Sequence, residues 1–267
     1  MRRPRGRNGV VDGASGFQLD RPGAPRVLLL HGAGDTPQSL RLLGTYLHER
    51  GFAVAAPLLP GHGRQVREFQ HVHAADWRRA VLTAYDRLAA GSAWTGIVGL
   101  SMGGALAAVV AAERPSADAL VLLAPYVDLP PILKAAAVVS RVAWFFSPYF
   151  GSADARSVRD PSAAASGLAY GVFTPAAVRA LRATARAGWQ ALARIRQPTL
   201  IVQSRHDNRI APDVPVRALE RLAAVDKRLE WLNESGHVIT VDLDKERVFA
   251  LTGDWLATHG AGALLRS

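Results

Sequence analysis

The chain of 267 residues contains no cysteine, which excludes a disulfide scaffold, a thiolate metal site and a cysteine nucleophile together. Lysine is scarce as well, at Lys134, Lys227 and Lys245 only, so the net charge of +10 is carried by arginine. Arg2, Arg3, Arg5 and Arg7 crowd into the start of the chain, and residues 1–17 are expected to form a flexible basic arm. The remaining arginines scatter along amphipathic segments, a spread that predicts a solvated basic surface. No basic helix or aromatic-interleaved strand of the kind that reads nucleic acid is present, so no nucleic-acid partner is expected. Long apolar runs are missing too. The longest, Ala135 to Phe146, contains Arg141 and adjoins Lys134, too short and too charged to span a bilayer. The arginine-rich start passes into Asn8, Asp12 and several glycines without the apolar stretch of a secretory signal, so a cytoplasmic location is expected.

What is present is a core: 49% of the residues are hydrophobic, enough for one large domain. Short apolar runs at Arg26–Leu30, Phe52–Pro57, Gly96–Leu100, Ala119–Leu123, Thr199–Gln203 and Arg228–Leu232 read as buried parallel strands. Longer amphipathic segments alternate with them. Thr36-Pro37 opens one and Gly51 closes it; others run over Ala75–Ala90, Met102–Glu113, Pro212–Ala224 and Lys245–His259, and one follows Thr174-Pro175. Such alternation predicts an α/β fold, a mostly parallel sheet with helices on both faces. From Tyr126 to Gly171 the alternation stops. Prolines interrupt this stretch, and Trp144, Phe145, Phe146, Tyr149 and Phe150 gather in it. It is expected to be a small helical cap inserted at 126–171 between core segments 1–125 and 172–267. A helix near Pro131–Phe146, apolar almost all round, would roof a pocket or pack between subunits.

The sharpest motif is Gly99-Leu100-Ser101-Met102-Gly103, where a predicted strand meets a predicted helix. Glycines flank a nucleophile there because the turn is strained and a Cβ beside it would collide with the adjoining elements. A serine hydroxyl needs a base within reach and a carboxylate to orient that base. Of eight histidines, His237 follows the last strand through the loop Asn233-Glu234-Ser235-Gly236, read as flexible. His31, His62 and His206 sit on edge loops too, but none of them comes after every acid candidate in the chain order serine, acid, histidine, whereas His48, His71, His73 and His259 lie on or beside helices and read as surface residues. Asp207, in Ser204-Arg205-His206-Asp207 beyond the strand Thr199–Gln203, is the expected acid, with Asp128 the alternative. In His31-Gly32-Ala33-Gly34 the backbone amide of Ala33 is the natural donor to an oxyanion, with that of Met102 as the second.

These four elements, with Pro60-Gly61-His62-Gly63 after the second strand, resemble the α/β-hydrolase superfamily and, more narrowly, the bacterial carboxylesterase and monoacylglycerol lipase group. Leu28-Leu29-Leu30-His31-Gly32, Gly99-Leu100-Ser101-Met102-Gly103-Gly104, Ser204-Arg205-His206-Asp207 and Glu234-Ser235-Gly236-His237-Val238-Ile239-Thr240 stand in that group's order. The resemblance implies that Ser101 is the nucleophile, that Asp207 and His237 complete the relay, and that Ala33 and Met102 supply the oxyanion amides. It implies a serine carboxylesterase acting on small esters, short-to-medium acyl or monoacylglycerol-like, with no metal or organic cofactor. Enzymes of the group often carry a bulky apolar residue where this chain has Ala33. Carbon–carbon bond hydrolysis and perhydrolysis use the same three side chains, and a ligand receptor could share the fold; an intact serine, acid and histidine argue against the receptor.

Overall fold

A computed structural model describes residues 9–69, 71–128, 150–151, 157–170 and 172–264. The expected helix at Pro131–Phe146 and its aromatic residues Trp144, Phe145, Phe146 and Tyr149 lie outside the described residues. So do the four arginines that begin the chain.

Strands β1 (Phe17–Leu19), β2 (Arg26–Leu30), β3 (Ala53–Ala56), β4 (Thr95–Leu100), β5 (Ala119–Leu123), β8 (Thr199–Ser204) and β9 (Lys227–Leu232) form one sheet in the order β1-β3-β2-β4-β5-β8-β9. All neighbours run parallel except β1, which pairs antiparallel with β3. Strands β2, β4, β5 and β8 read as near-continuous apolar runs because both of their faces are covered. Helices α1 (Arg41–Glu49) and α8 (Lys245–Leu264) lie on one face; α3 (Ala74–Ala89), α4 (Met102–Glu113), α6 (Pro175–Leu192) and α7 (Val214–Arg221) lie on the other. Helix α4 is buried on every side from Met102 to Ala111, with only glycine, alanine, valine, leucine and methionine over that length, since it is wedged between the sheet, α3 and α6.

Several expectations shift. Thr36 caps a short 3-10 turn, Pro37–Leu40, its hydroxyl accepting from the Gln38 N–H at 3.4 Å, and α1 begins only after it. Strand β9 is an edge strand and not a fully buried one: Arg228 and Glu230 alternate charge along it and pair with each other. Residues 10–17, grouped in the sequence with the basic arm, pack onto the domain because Val10, Ala14 and Phe17 are apolar and find cover there. Two short helices, α2 (Val66–Phe69) and α5 (Pro161–Ser166), were not foreseen. Nor was the two-residue strand β6 (Phe150–Gly151), paired antiparallel with β7 (Val172–Phe173), because it is too short to carry a period of its own. Among the described residues, no helix is long and apolar enough to cross a membrane.

Candidate active site

Ser101 stands between β4 and α4 with φ 56° and ψ −119°, a region that L-residues avoid unless the surroundings impose it. The imposition is visible. A Cβ at Gly99 would strike the Gly103 carbonyl, and one at Gly103 would run into the Leu30 carbonyl, so strand and helix meet at this angle only through glycine. The turn is tied down by β5 and the loop that follows it: the Ser101 N–H donates to the Leu123 carbonyl at 2.9 Å, and the Ser101 carbonyl accepts from Tyr126 N–H at 3.0 Å. Its hydroxyl is left at the carboxyl edge of the strands.

His237 and Asp207 reach that hydroxyl from the neighbouring loops. His237 Nε2 lies 2.8 Å from Ser101 Oγ, and its Nδ1 lies 2.8 Å from Asp207 Oδ2. The carboxylate is buried, with its side chain 1% exposed. Its Oδ1 accepts from the N–H groups of Arg209 at 2.7 Å and Ile210 at 3.0 Å, and Oδ2 accepts also from Gln203 Nε2 at 2.7 Å. Burial pushes the Asp207 carboxyl up, but the His237 charge and hydrogen bond, with the donors from Arg209 and Gln203, outweigh it and hold the group below the usual carboxylate range. Asp128, the alternative acid, is turned to another task, accepting from Arg217 Nη2 at 3.0 Å.

The loop expected to supply the first oxyanion amide passes close to the serine, since a Cβ on Gly32 would sit 3.3 Å from Ser101 Cβ. The Gly34 N–H is taken by His62 Nε2 at 3.0 Å, and that of Asp35 by the Gly32 carbonyl at 3.4 Å, so neither competes with Ala33 for the role expected of it. Met102 opens α4, so its N–H has no partner within the helix, while those of Gly104 and Ala105 return to the Ser101 carbonyl.

Sequence reasoning weighed His31 and His62 only as rival bases; the structure buries both and uses them as props. His31 Nε2 accepts the Leu59 N–H at 3.1 Å, so its Nδ1 carries the proton and donates to the Gly32 carbonyl at 2.9 Å. His62, accepting from Gly34, likewise donates from Nδ1 to the Pro60 carbonyl at 3.0 Å. Their rings meet edge to face at 4.9 Å. Burial lowers the pKa of both, that of His62 to about 4, and the neighbouring His62 charge lowers His31 further. Asp35 is a third residue that reasoning from the sequence missed. Burial raises its carboxyl to about 6 despite a 2.6 Å hydrogen bond from Ser39 Oγ. The loop Asn233–Gly236, read as flexible, is held: Asp244 Oδ2 accepts the N–H groups of Glu234 and Ser235 at 2.9 and 2.8 Å, and Asp242 Oδ2 accepts that of Gly236 at 2.7 Å. Carboxylates six to ten positions further on do this work, a link that local turn propensity does not reveal.

A mostly parallel sheet that raises a hydrogen-bonded serine, histidine and aspartate on its carboxyl edge defines an α/β-hydrolase. A family model described as serine aminopeptidase, S33, matches residues 22–244, and the chain belongs to that family. It is 29% identical over 228 residues to a carboxylesterase of Bacillus subtilis (strain 168), covering 85% of this chain and 89% of that protein. It is 27% identical over 250 residues to a thermostable monoacylglycerol lipase of Bacillus sp. (strain H-257), covering 94% and 97%. Among solved structures, one from work on the metagenome-derived lipolytic enzymes LipS and LipT superimposes with a TM-score of 0.84 at 27% identity, covering 94% of this chain and all of the other.

Proposed function

We propose that the protein is a serine carboxylesterase that cleaves short-to-medium acyl or monoacylglycerol-like esters through an acyl-enzyme. The observation that carries this reading is the unbroken relay from Asp207 through His237 to Ser101, with both links at 2.8 Å. His237 Nε2 takes the proton of the Ser101 hydroxyl as Oγ attacks the ester carbonyl, and Asp207 holds the imidazole in the tautomer that this requires. The amides of Ala33 and Met102 receive the charge that develops on the carbonyl oxygen. His237 then returns the proton to the departing alcohol, and water, activated by the same base, frees the acid and restores Ser101.

The family's description names an aminopeptidase, whereas the two Bacillus relatives are named for ester and monoacylglycerol hydrolysis; their names favour esters over amides here. The reading includes an insertion over 126–171 between two core segments. The β6–β7 pair, which brings Phe150–Gly151 back beside Val172–Phe173 at that boundary, supports it. A cytoplasmic location belongs to the same proposal and is tested by cell fractionation.

The deciding experiment has three arms: labelling by a fluorophosphonate, turnover of p-nitrophenyl esters of rising chain length together with a monoacylglycerol, and turnover of an aminoacyl p-nitroanilide. Labelling lost in Ser101→Ala, with ester turnover far above anilide turnover, is expected. Labelling with no ester turnover would overturn the proposal in favour of another hydrolase chemistry.

A further inference from the structure

We propose that Asp242 and Ser157 form a clamp that sets the position of His237, which makes both of them positioning residues for the hydrolysis; the proposal rests on the reading of His237 as the base. Residues 233–239 contain no helix or strand, so secondary structure does not hold the imidazole in place. Asp242 does part of that work. It is fully buried, and its carboxylate accepts from four backbone N–H groups. Oδ2 takes those of Gly236 at 2.7 Å and Arg159 at 2.9 Å; Oδ1 takes those of Asp160 at 2.8 Å, Leu243 at 2.9 Å and, shared, Arg159 at 3.0 Å. Two of these donors belong to the loop of His237. The other two belong to the segment 157–160, some 80 positions earlier in the chain.

Ser157 begins that segment and touches both loops that serve Ser101. Its carbonyl accepts the N–H groups of His237 and Val238, each at 2.9 Å. Its hydroxyl donates to Asn208 Oδ1 at 3.1 Å and accepts from Arg209 Nε at 2.9 Å, both on the turn that carries Asp207. The backbone N–H of the base is therefore gripped by a residue that is also bonded to the turn of the acid. A buried carboxylate is retained only where its lone pairs are met, and Asp242 meets them with N–H groups of two segments that do not pair with each other as strands. Misplacing a catalytic group by about 1 Å costs on the order of 10²-fold in rate. With 2.8 Å on either side of the imidazole, His237 has little room to drift.

The test uses the full chain, well below its melting temperature. It combines steady-state hydrolysis of p-nitrophenyl acetate, the rate of fluorophosphonate labelling, and the low-field NMR resonance of the His237 Nδ1 proton. His237→Ala is run first and loses both turnover and labelling; if it kept them, the base assignment itself would be wrong, a failure distinct from that of the clamp. Asp242→Asn keeps the shape of the side chain but turns an amide donor toward N–H groups. It is expected to lower kcat and the labelling rate together by ~10–100-fold, to leave KM within about twofold, and to shift or broaden the resonance. Ser157→Ala keeps the carbonyl and removes the two hydroxyl bonds, lowering kcat by ~3–10-fold; it decides the matter if Asp242→Asn does not fold. Ala164→Gly, which weakens α5 but keeps its backbone bond to the Asp160 carbonyl and removes no side chain of the clamp, keeps kcat within about twofold of wild type. Wild-type kcat, labelling and resonance in the folded Asp242 and Ser157 variants, or an equal loss in Ala164→Gly, would overturn the clamp.

Discussion

Lowering the pH from 7 to 4 should cost the folded state about 3 kcal/mol through one side chain, His62. Its ring is 1% exposed, and burial brings its pKa from 6.5 to about 4. Above pH 6.5 the imidazole is neutral in both states and contributes no pH dependence. Below that, the unfolded chain takes up a proton that folded His62 refuses, so stability falls with pH until the folded group titrates near pH 4. A gap of roughly 2.5 pH units at about 1.36 kcal/mol per unit sets the magnitude. His31, depressed in the same direction, steepens the slope. Asp35 opposes it. With its carboxyl raised from 3.8 to about 6, the folded form takes the proton first, so stability rises as pH falls between those values; Asp35 keeps some solvent exposure, which makes its contribution the smaller of the two. Urea unfolding followed by circular dichroism at pH 7, 6, 5 and 4 separates these groups. His62→Gln keeps an acceptor for the Gly34 N–H but cannot titrate, so its stability should fall less steeply than that of wild type; Asp35→Asn should fall more steeply. Parallel wild-type and His62→Gln curves would refute the picture of a buried neutral imidazole propping the loop.

Replacing Ser101 by glycine abolishes ester turnover and, by relieving the strain at φ 56°, stabilises the fold by about 1–2 kcal/mol in urea melts; a destabilised variant would show that the hydroxyl contributes more than the strained backbone costs. Asp207→Asn lowers kcat by about 10³–10⁴ through the wrong histidine tautomer, while Asp128→Asn, which weakens the pairing with Arg217, leaves kcat near wild type; the reverse ranking would reassign the acid. Ala33→Phe keeps the backbone donor but fills space beside it, so kcat/KM for octanoate esters falls about 10–100-fold relative to acetate. An equal fall for every chain length would mean that the side chain controls the loop's shape instead.

Much of the fold was legible because its signals are local. Strands β2 and β5 and helix α4 coincide with their apolar runs residue for residue, since a strand covered on both faces is continuously apolar and a helix wedged among neighbours has no polar side to confuse its period. Edge strands β1 and β9 were missed or misjudged because one face meets solvent, and β6 and β7 are too short to show a pattern. The nucleophile turn was legible for a related reason: the glycines at 99 and 103 are demanded by backbone atoms within a few residues of Ser101 or on the next strand.

What the sequence alone determined is therefore the order of the elements, the glycine-flanked serine at a strand-to-helix junction, and the histidine and acid candidates set by chain order. Which carboxylate meets His237 was decided only by tertiary structure, because Asp207 and Asp128 both follow strands that end on the same edge and differ in what lies opposite, an imidazole for one and Arg217 for the other. The neutral, supporting role of His31 and His62 was decided there too, since it depends on N–H groups brought in from other loops. So was the hold on His237 by Asp242 and Ser157. A charged side chain in a loop looks solvated until folding surrounds it with donors, and those donors come from segments whose distance along the chain no local pattern records.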